Sequence, residues 1–260
     1  MTELTNLVGK FVWYDQMSND LPGAEAFYSK IVGWTLAPNT MNDQQYTILQ
    51  AGSAGIGGLM PIPEEARNAG APAMWMGYIW VDDVDAAAKR VAAAGGRILR
   101  GPMDIPNVGR FAVAGDPHGA GFMIFRANRD DGPQPPAPGT PGTVGWRELH
   151  AGDGKADFDF YSGLFGWTKG EAMDMGAMGT YQIFNIDGQM AGGVMTKTAD
   201  MPMPMWLYYF NVEAIDAAAE RVRTAGGRVI NGPHQVPGGQ WMLQGLDPQG
   251  AMFGLLAWQR

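Results

Sequence analysis

The stretch VDAAAKRVAAAGGRILRGP, residues 84–102, returns 131 positions later as IDAAAERVRTAGGRVINGP, residues 215–233, with 12 of 19 positions identical. In each copy, apolar residues recur at helical spacing, which predicts one helix with a single apolar face. Gly95-Gly96 and its counterpart Gly226-Gly227 predict the end of that helix, because glycine adopts the left-handed conformation without steric cost. The aliphatic residues that follow predict a strand that breaks at Gly-Pro. A match of this length predicts a tandem duplication.

A second pair of matching segments precedes the first pair in each half of the chain. Residues 13–34, WYDQMSNDLPGAEAFYSKIVGW, align with residues 146–167, WRELHAGDGKADFDFYSGLFGW. Asn19-Asp20 predicts a helix start, because short polar side chains cap helix N-termini. The residues expected on the buried face of this helix are Ala26, Phe27 and Ile31.

Each half therefore contains two copies of one pattern, a strand followed by a helix and three strands. The tract NRDDGPQPPAPGTPG, residues 128–142, is rich in proline and glycine and predicts an extended linker. We predict one domain in residues 1–127, the linker in residues 128–142 and a second domain in residues 143–260. Each half is expected to form its own sheet, with pairing of units across the halves as the alternative.

The composition favours a globular protein without export, membrane or nucleic-acid signals. The net charge is −8, which gives no electrostatic reason to bind nucleic acid or an anionic membrane. No apolar run approaches the ~20 residues that span a bilayer. The chain has no cysteine and 46% hydrophobic residues, so we expect a cytoplasmic protein, either monomer or homodimer.

Two motifs carry a family resemblance. Phe27-Tyr28 and Gly33-Trp34 recur 133 positions later at the end of the first helix of the second half, and a DPxG turn precedes the last strand of each half, at residues 116–119 and 247–250. With four repeats, this resembles the vicinal oxygen chelate superfamily, which includes glyoxalase I, bleomycin-resistance proteins and extradiol dioxygenases. It is most similar to two-domain glyoxalase-like bacterial proteins often labelled hydroxylases. The resemblance implies an α+β fold with four βαβββ modules in two cupped mixed sheets.

The resemblance also implies where a metal would bind, since enzymatic members hold a divalent ion with His, Glu or Gln from strands. The corresponding positions here are Trp13, Met76 and Met123 in the first half, and Trp146, Leu207 and Gly254 in the second. The first module's last strand offers no such donor, and Gln189 is the only one near its counterpart. Because indole, thioether and aliphatic groups do not ligate hard divalent ions, we predict no metal site and no cofactor. A divalent metal is the alternative.

Glu148 and His150 are the candidate catalytic residues. Strand alternation places Trp146, Glu148 and His150 on one face, so the carboxylate and imidazole could share a ligand or a proton. The alternative is structural, with His150 in solvent at the strand end and Glu148 paired with an arginine. The first half has Asp15 and Met17 at these positions.

Aromatic and methionine residues on the same faces predict a pocket for a small apolar or aromatic molecule, since such sites combine apolar walls with a few polar groups. The expected ligand-binding residues are Trp13, Asp15, Met76, Tyr78, Met123, Phe125, Trp146, Leu207, Tyr209, Asn211 and Trp241. The sequence leaves three functions open: a metal-free binder, a glyoxalase-like lyase or dioxygenase, and a regulatory protein whose pockets are filled by side chains.

Overall fold

The computed structural model describes residues 7–41, 44–129 and 136–260. The α-helices of this part of the chain are α1 (Leu21–Val32), α2 (Glu64–Asn68), α3 (Val84–Ala93), α4 (Gly154–Phe165) and α5 (Ile215–Thr224). The strands are β1 (Phe11–Ser18), β2 (Thr35–Met41), β3 (Gln44–Ala51), β4 (Ala54–Pro61), β5 (Met74–Trp80), β6 (Arg97–Ile105), β7 (Gly109–Gly115), β8 (Gly121–Ala127), β9 (Val144–Ala151), β10 (Thr168–Asp174), β11 (Thr180–Ile186), β12 (Gln189–Thr196), β13 (Met205–Asn211), β14 (Arg228–Gln235), β15 (Trp241–Leu246) and β16 (Met252–Ala257). None of these helices combines the length and apolar content that crossing a bilayer requires.

The elements repeat four times as a βαβββ module, which confirms the predicted α+β class. Module 1 covers residues 11–61, module 2 covers 74–127, module 3 covers 144–196 and module 4 covers 205–257. The strands form two eight-stranded mixed sheets, in the orders β2-β3-β4-β1-β5-β8-β7-β6 and β10-β11-β12-β9-β13-β16-β15-β14. The linker prediction, residues 128–142, lies partly outside the described residues.

The sequence prediction placed the helix stops correctly but ended two strands too early. Gly95 and Gly226 both have positive φ, 91° and 86°, and each lies two residues after the end of its helix, α3 or α5. Strands β6 and β14, however, continue through Gly101-Pro102 and Gly232-Pro233 instead of breaking there. The register of β6 against β7, and of β14 against β15, shifts at the Gly-Pro pair. The strands therefore continue through these residues with a local irregularity in the hydrogen-bond ladder.

One residue of α1 was assigned to the wrong face. Ala26 is exposed, whereas Phe27 and Ile31 are buried as predicted. Ala24 and Tyr28 complete the apolar stripe, because positions 24, 27, 28 and 31 follow the three- and four-residue helical spacing.

The described residues divide into two compact units, and each unit combines one module from each half of the sequence. The 2–3 unit, built on modules 2 and 3, contains residues 7–13, 76–129 and 146–206. The 1–4 unit, built on modules 1 and 4, contains residues 14–41, 44–75, 136–145 and 207–260. The sheets therefore follow the halves of the sequence, and the compact units do not.

The two motifs that recur in the sequence contact each other inside each unit. In the 2–3 unit the Tyr161 hydroxyl accepts a hydrogen bond from Trp206 Nε1 at 3.0 Å and lies 3.3 Å from Asp116 Oδ2, to which it donates. In the 1–4 unit Tyr28 makes the same two contacts, with Trp75 at 2.9 Å and Asp247 at 3.0 Å. Each DPxG aspartate also accepts backbone N–H bonds within its own turn. The tyrosine of FY and the aspartate of DPxG thus join the two modules of a unit.

Candidate functional site

Strand β9 presents the two candidate catalytic residues on one face of module 3. Its parallel pairing with β12 places Glu148 opposite Gly193 and His150 opposite Met195. Both polar residues are buried, Glu148 at 8% and His150 at 7% exposure. The alternative that His150 ends the strand in solvent is therefore wrong.

A hydrogen-bonded chain runs from Trp146 to Glu148. Trp146 Nε1 donates to the Tyr181 hydroxyl at 2.7 Å, and that hydroxyl donates to Glu148 Oε2 at 2.9 Å. Burial, together with the charge of Glu148, raises the pKa of Tyr181 well above its usual value. The phenol therefore keeps its proton at neutral pH and acts as a fixed donor to the carboxylate.

His150 lies close to this chain but is not hydrogen-bonded to it. Its Nε2 is 2.9 Å from Glu148 Oε1, which is within ion-pair distance. The approach is not aligned for a hydrogen bond, and this buried nitrogen has no hydrogen-bond partner among the described residues. The two groups therefore interact electrostatically, because a hydrogen bond weakens steeply when it is misaligned.

Apolar side chains surround the polar chain. Tyr181, Ile183 and Met195 form a buried cluster, and the partly buried Trp146 and Met173 pack against it. The arrangement is an apolar surface interrupted by one carboxylate, one phenol and one imidazole, which is the usual composition of a small-molecule site.

Tyr181 was not found by sequence reasoning. It reaches Glu148 because Gly193 has no side chain, and a Cβ at Gly193 would lie 2.1 Å from the Tyr181 ring. The available signal was the Gly192-Gly193 pair in β12, which predicts close approach of another group within a strand. The pattern did not identify the approaching group, since that depends on the pairing of β11 with β12.

Module 1 contains a related pair, which was also missed. Tyr46 donates a hydrogen bond to Asp15 Oδ1 at 2.7 Å, and Asp15 is 1% exposed. Asp15 lies opposite Gly58, where a Cβ would again come within 2.1 Å of the tyrosine ring. Met17 occupies the position of His150, so the imidazole has no counterpart in module 1.

The other predicted residues of the 2–3 unit are mainly apolar and buried. Tyr78 pairs with Met123 in register, and its ring packs edge-on against Phe125 at 5.8 Å. Met76 is 4% exposed, whereas Trp13 is only partly buried. Their roles in ligand binding stay predictions.

In the 1–4 unit two predicted polar residues have structural partners. Asn211 Nδ2 donates to Thr143 Oγ1 at 2.9 Å, and the Tyr209 hydroxyl accepts from Gln244 Nε2 at 2.6 Å. Leu207 is fully buried, and Trp241 is partly buried beneath the guanidinium of Arg260. Asn211 therefore holds the start of β9 in place, whatever else it contacts.

The positions that correspond to metal ligands do not fit a hard divalent ion. The Trp146 indole N–H is a donor already used by Tyr181, and Leu207 offers no lone pair. Gly254 has no side chain, and a Cβ there would lie 2.2 Å from the Tyr209 ring. Residues 7–41, 44–129 and 136–260 contain no group of three or more acidic or histidine side chains placed to hold an ion. Glu148 and His150 supply two donors, fewer than the three ligands of catalytic sites.

His118, in the DPxG turn of module 2, has a partner that sequence reasoning did not find. Its Nδ1 lies 2.6 Å from Oδ1 of the buried Asp157 on α4. The hydrogen bond to Asp157 raises the pKa of His118. The corresponding Gln249 in module 4 instead accepts a hydrogen bond from Ser18 at 2.7 Å. Both contacts join the two modules of a compact unit.

Two surface cavities of about 450 and 350 Å³ border module 3. One is lined by residues 177–179 and 196–199. The other lies between the start of α4 and the outer strands, with Lys155 and Lys169 at its edge. Neither includes any residue predicted from the sequence to bind a ligand.

Known proteins match this chain along nearly its whole length. A family model described as Glyoxalase/Bleomycin resistance protein/Dioxygenase superfamily matches residues 10–124 and again residues 143–255. A Mycobacterium tuberculosis (strain CDC 1551 / Oshkosh) protein named "Putative glyoxylase CFP32" is 31% identical over 250 residues, covering 94% of this chain and 93% of that protein. The Streptomyces peucetius "Anthracycline biosynthesis protein DnrV" is 32% identical over 263 residues, covering 95% and 93%.

Solved structures show the same fold at low sequence identity. The Mn(II)-bound glyoxalase from Novosphingobium aromaticivorans superposes with a TM-score of 0.64 at 17% identity. The match covers 98% of this chain and 83% of that one.

Proposed function

Since the chain belongs to the glyoxalase/bleomycin resistance protein/dioxygenase superfamily, we propose that it binds a small apolar or aromatic molecule without a divalent metal. The observation that carries this proposal is Trp146, which occupies a ligand position of the family and donates its indole N–H to Tyr181, the residue that holds the Glu148 carboxylate. An indole at this position is unsuited to a hard ion and well suited to an apolar ring.

We assign the ligand-binding site to module 3. Trp146 is partly exposed and fixed by its hydrogen bond to Tyr181, so its ring is oriented for stacking. Met173 and Met195 belong to the same packed cluster, and their unbranched thioether chains adapt to rings of different shape.

The relatives favour an aromatic ligand. DnrV carries the name of an anthracycline biosynthesis protein, and an anthracycline is a fused-ring aromatic compound. We therefore extend the same chemical class, a planar aromatic molecule, to this chain.

The proposal is tested by measuring the binding of naphthalene to metal-depleted protein. We expect chelator-treated protein to bind naphthalene in isothermal titration calorimetry, with no change when Mn²⁺ or Zn²⁺ is restored. Trp146→Phe should weaken binding by about three- to tenfold, because part of the stacking surface is lost. Trp13→Phe is the matched control in module 1, and it should change the affinity less. Stoichiometric tightly bound metal that is required for binding would contradict the proposal.

The second candidate is an enzyme, a lyase or dioxygenase of the same superfamily. The observation in its favour is the buried pair of His150 and Glu148, whose Nε2 and Oε1 atoms are 2.9 Å apart, since imidazole and carboxylate are common general acids and bases. Glu148→Gln separates the two candidates, since it would abolish turnover by acid–base chemistry and largely preserve binding of an uncharged aromatic molecule.

A further inference from the structure

The cavity of about 350 Å³ is lined entirely by residues of module 3 and lies outside the site proposed above. It is bounded by the first turn of α4 and by strands β10, β11 and β12. The described residues that line it do not include Trp146, Glu148 or Tyr181. Its volume is at the lower end of the range for small-molecule sites, about 300–1,000 Å³. The cavity is therefore large enough for a small ligand of its own.

A cation without a counter-ion lines this cavity. The Lys169 ammonium group lies 5.2 Å from the centre of the Phe158 ring. Within the described part of the chain, no carboxylate is within ion-pair distance of it. The second cation of the cavity, Lys155, is instead paired with Asp159 at 2.8 Å. In a chain of net charge −8, an uncompensated ammonium group at a cavity favours an anionic ligand.

The one carboxylate that lines the cavity, among the residues the structure describes, is bonded to the helix backbone. Asp153 Oδ1 accepts hydrogen bonds from the backbone N–H groups of Lys155 and Ala156, both at 3.0 Å. The start of α4 is therefore already capped, so the helix terminus is not the source of the attraction. Thr196 Oγ1 accepts a hydrogen bond from the Gly154 N–H at 2.9 Å, and a hydroxyl that accepts can still donate its own proton. The cavity thus offers an ammonium group and a hydroxyl donor.

Module 1 has different charges at the corresponding positions. Lys169 of β10 aligns with Leu36 of β2, and Phe158 of α4 aligns with Glu25 of α1. Glu25 accepts a hydrogen bond from the Thr47 hydroxyl. Module 1 thus has a carboxylate where module 3 has an apolar ring, and an aliphatic side chain where module 3 has an ammonium group. Because the βαβββ fold forms without a cation at this position, folding alone does not account for Lys169.

The charge and the walls of the cavity restrict the class of ligand. One uncompensated ammonium group matches a single negative charge, whereas a phosphate monoester carries about 1.5 to 2. Val194 and the methyl groups of Thr180 and Thr196 supply aliphatic surface. Phe158 is only 3% exposed, so little of its ring is accessible for stacking. These properties fit a short aliphatic chain that carries one carboxylate.

We propose that module 3 binds a short aliphatic carboxylate in this cavity, with the carboxylate paired with Lys169 and the aliphatic chain against Val194. The site does not depend on the proposed aromatic-binding function, and either can be wrong without the other. Module 1 has Leu36 at the position of Lys169, so it does not bind this ligand at the corresponding place.

The test compares butyrate with butyramide, which have the same carbon chain and differ in charge, by titration followed in ¹H–¹⁵N correlation spectra. We expect butyrate to shift the backbone amide signals of Gly154, Lys169 and Thr196 until they saturate. It should bind about three- to fivefold more tightly than butyramide, the gain of one solvent-accessible ion pair. Lys169→Met should remove this preference, and Lys169→Arg, which keeps the charge, should retain it. Lys30→Met, an exposed lysine of α1, is the matched control for net charge and should leave the preference unchanged.

Several outcomes would overturn the assignment. Equal binding of the two probes by the wild type, or signal shifts that do not saturate, would show that the cavity does not select a carboxylate. An undiminished preference in Lys169→Met, or an equal loss in Lys30→Met, would show that Lys169 is not the specific partner. Because Lys169 is exposed, its variants should fold, and the wild-type comparison of the two probes decides the assignment without any variant.

Discussion

Modules 1 and 3 share a backbone arrangement and differ in the chemistry of one strand. In both modules, a buried carboxylate on the first strand accepts a hydrogen bond from a tyrosine whose ring packs over a glycine of the neighbouring strand. The pairs are Asp15 with Tyr46 in module 1 and Glu148 with Tyr181 in module 3. Only module 3 adds a histidine at the next position of the same face. The carboxylate–tyrosine pair therefore belongs to the scaffold of both modules, and the imidazole is what distinguishes the candidate site.

The largest expected effect comes from the glycines that admit the tyrosine rings. Gly193→Ala places a Cβ 2.1 Å from Tyr181, and Gly58→Ala places one 2.1 Å from Tyr46. Each ring must move away from its carboxylate, so we expect each variant to lower the free energy of unfolding by about 3 kcal/mol. Urea denaturation measures the change.

Gly163→Ala is the control for these glycine substitutions. Gly163 lies within α4, and a Cβ added there would meet no atom of another element within 4 Å, so alanine should raise stability by about 0.5–1 kcal/mol. Wild-type stability in Gly193→Ala would show that Tyr181 is not held against Glu148 as described.

A smaller effect is expected from removing only the phenolic hydroxyls. Tyr181→Phe leaves Glu148 Oε2 and Trp146 Nε1 without their 2.9 Å and 2.7 Å partners, and Tyr46→Phe removes the donor to Asp15. We expect each to cost about 1.5 kcal/mol of unfolding free energy. Tyr181→Phe alone should also weaken naphthalene binding, because Trp146 then loses the hydrogen bond that orients its ring. An equal loss of affinity in Tyr46→Phe would remove the functional distinction between the modules.

The smallest expected effect is on the pH dependence of stability, and it comes from the DPxG turns that contact modules 3 and 1. His118 pairs with Asp157 of module 3, whereas Gln249 bonds Ser18 of module 1. Asp116 and Asp153 also act on His118 and favour its protonated form. Because its pKa is raised in the folded state, its stabilisation is complete below the unfolded value of about 6.5 and is lost as pH rises through the folded pKa.

His118→Gln reproduces the uncharged chemistry of Gln249 and isolates this pH dependence. We expect the Tm of the wild type to exceed that of the variant by about 1–2 °C at pH 5.5 and to equal it by pH 9. The difference is small because the His118 side chain is partly exposed. Differential scanning calorimetry at several pH values measures it. A wild-type advantage that grows with pH would contradict the assigned pairing.

Much of the fold follows from local sequence signals. Asp20, Gly33 and the repeated Gly95 and Gly226 mark helix ends through backbone preferences, which depend on a few neighbouring residues. The repeats, through the family resemblance, then predict four βαβββ modules in two mixed sheets. The exposed Ala26 shows the limit of this approach, since small residues carry little information about which face is buried.

The candidate site was only partly predictable. Strand alternation placed Glu148 and His150 on one face, but it gave no information about Tyr181, which is 33 residues away from Glu148 along the chain. Likewise, the DPxG sequence predicts a turn stabilised by its own residues. Asp116 and Asp247 also accept a hydrogen bond from a tyrosine hydroxyl of another module. Such contacts depend on how modules pair, and periodicity within one segment does not encode that pairing.

The exchange of modules between halves has a consequence for synthesis on the ribosome. Asp116 precedes Tyr161 by 45 residues, and the 2–3 unit has all its residues once Trp206 has emerged. Tyr28 must wait for Asp247, which is made 219 residues later. Domains fold as the chain emerges from the ribosome, N-terminus first. Modules 2 and 3 can therefore pair first, whereas module 1 cannot pair with module 4 until translation is nearly complete.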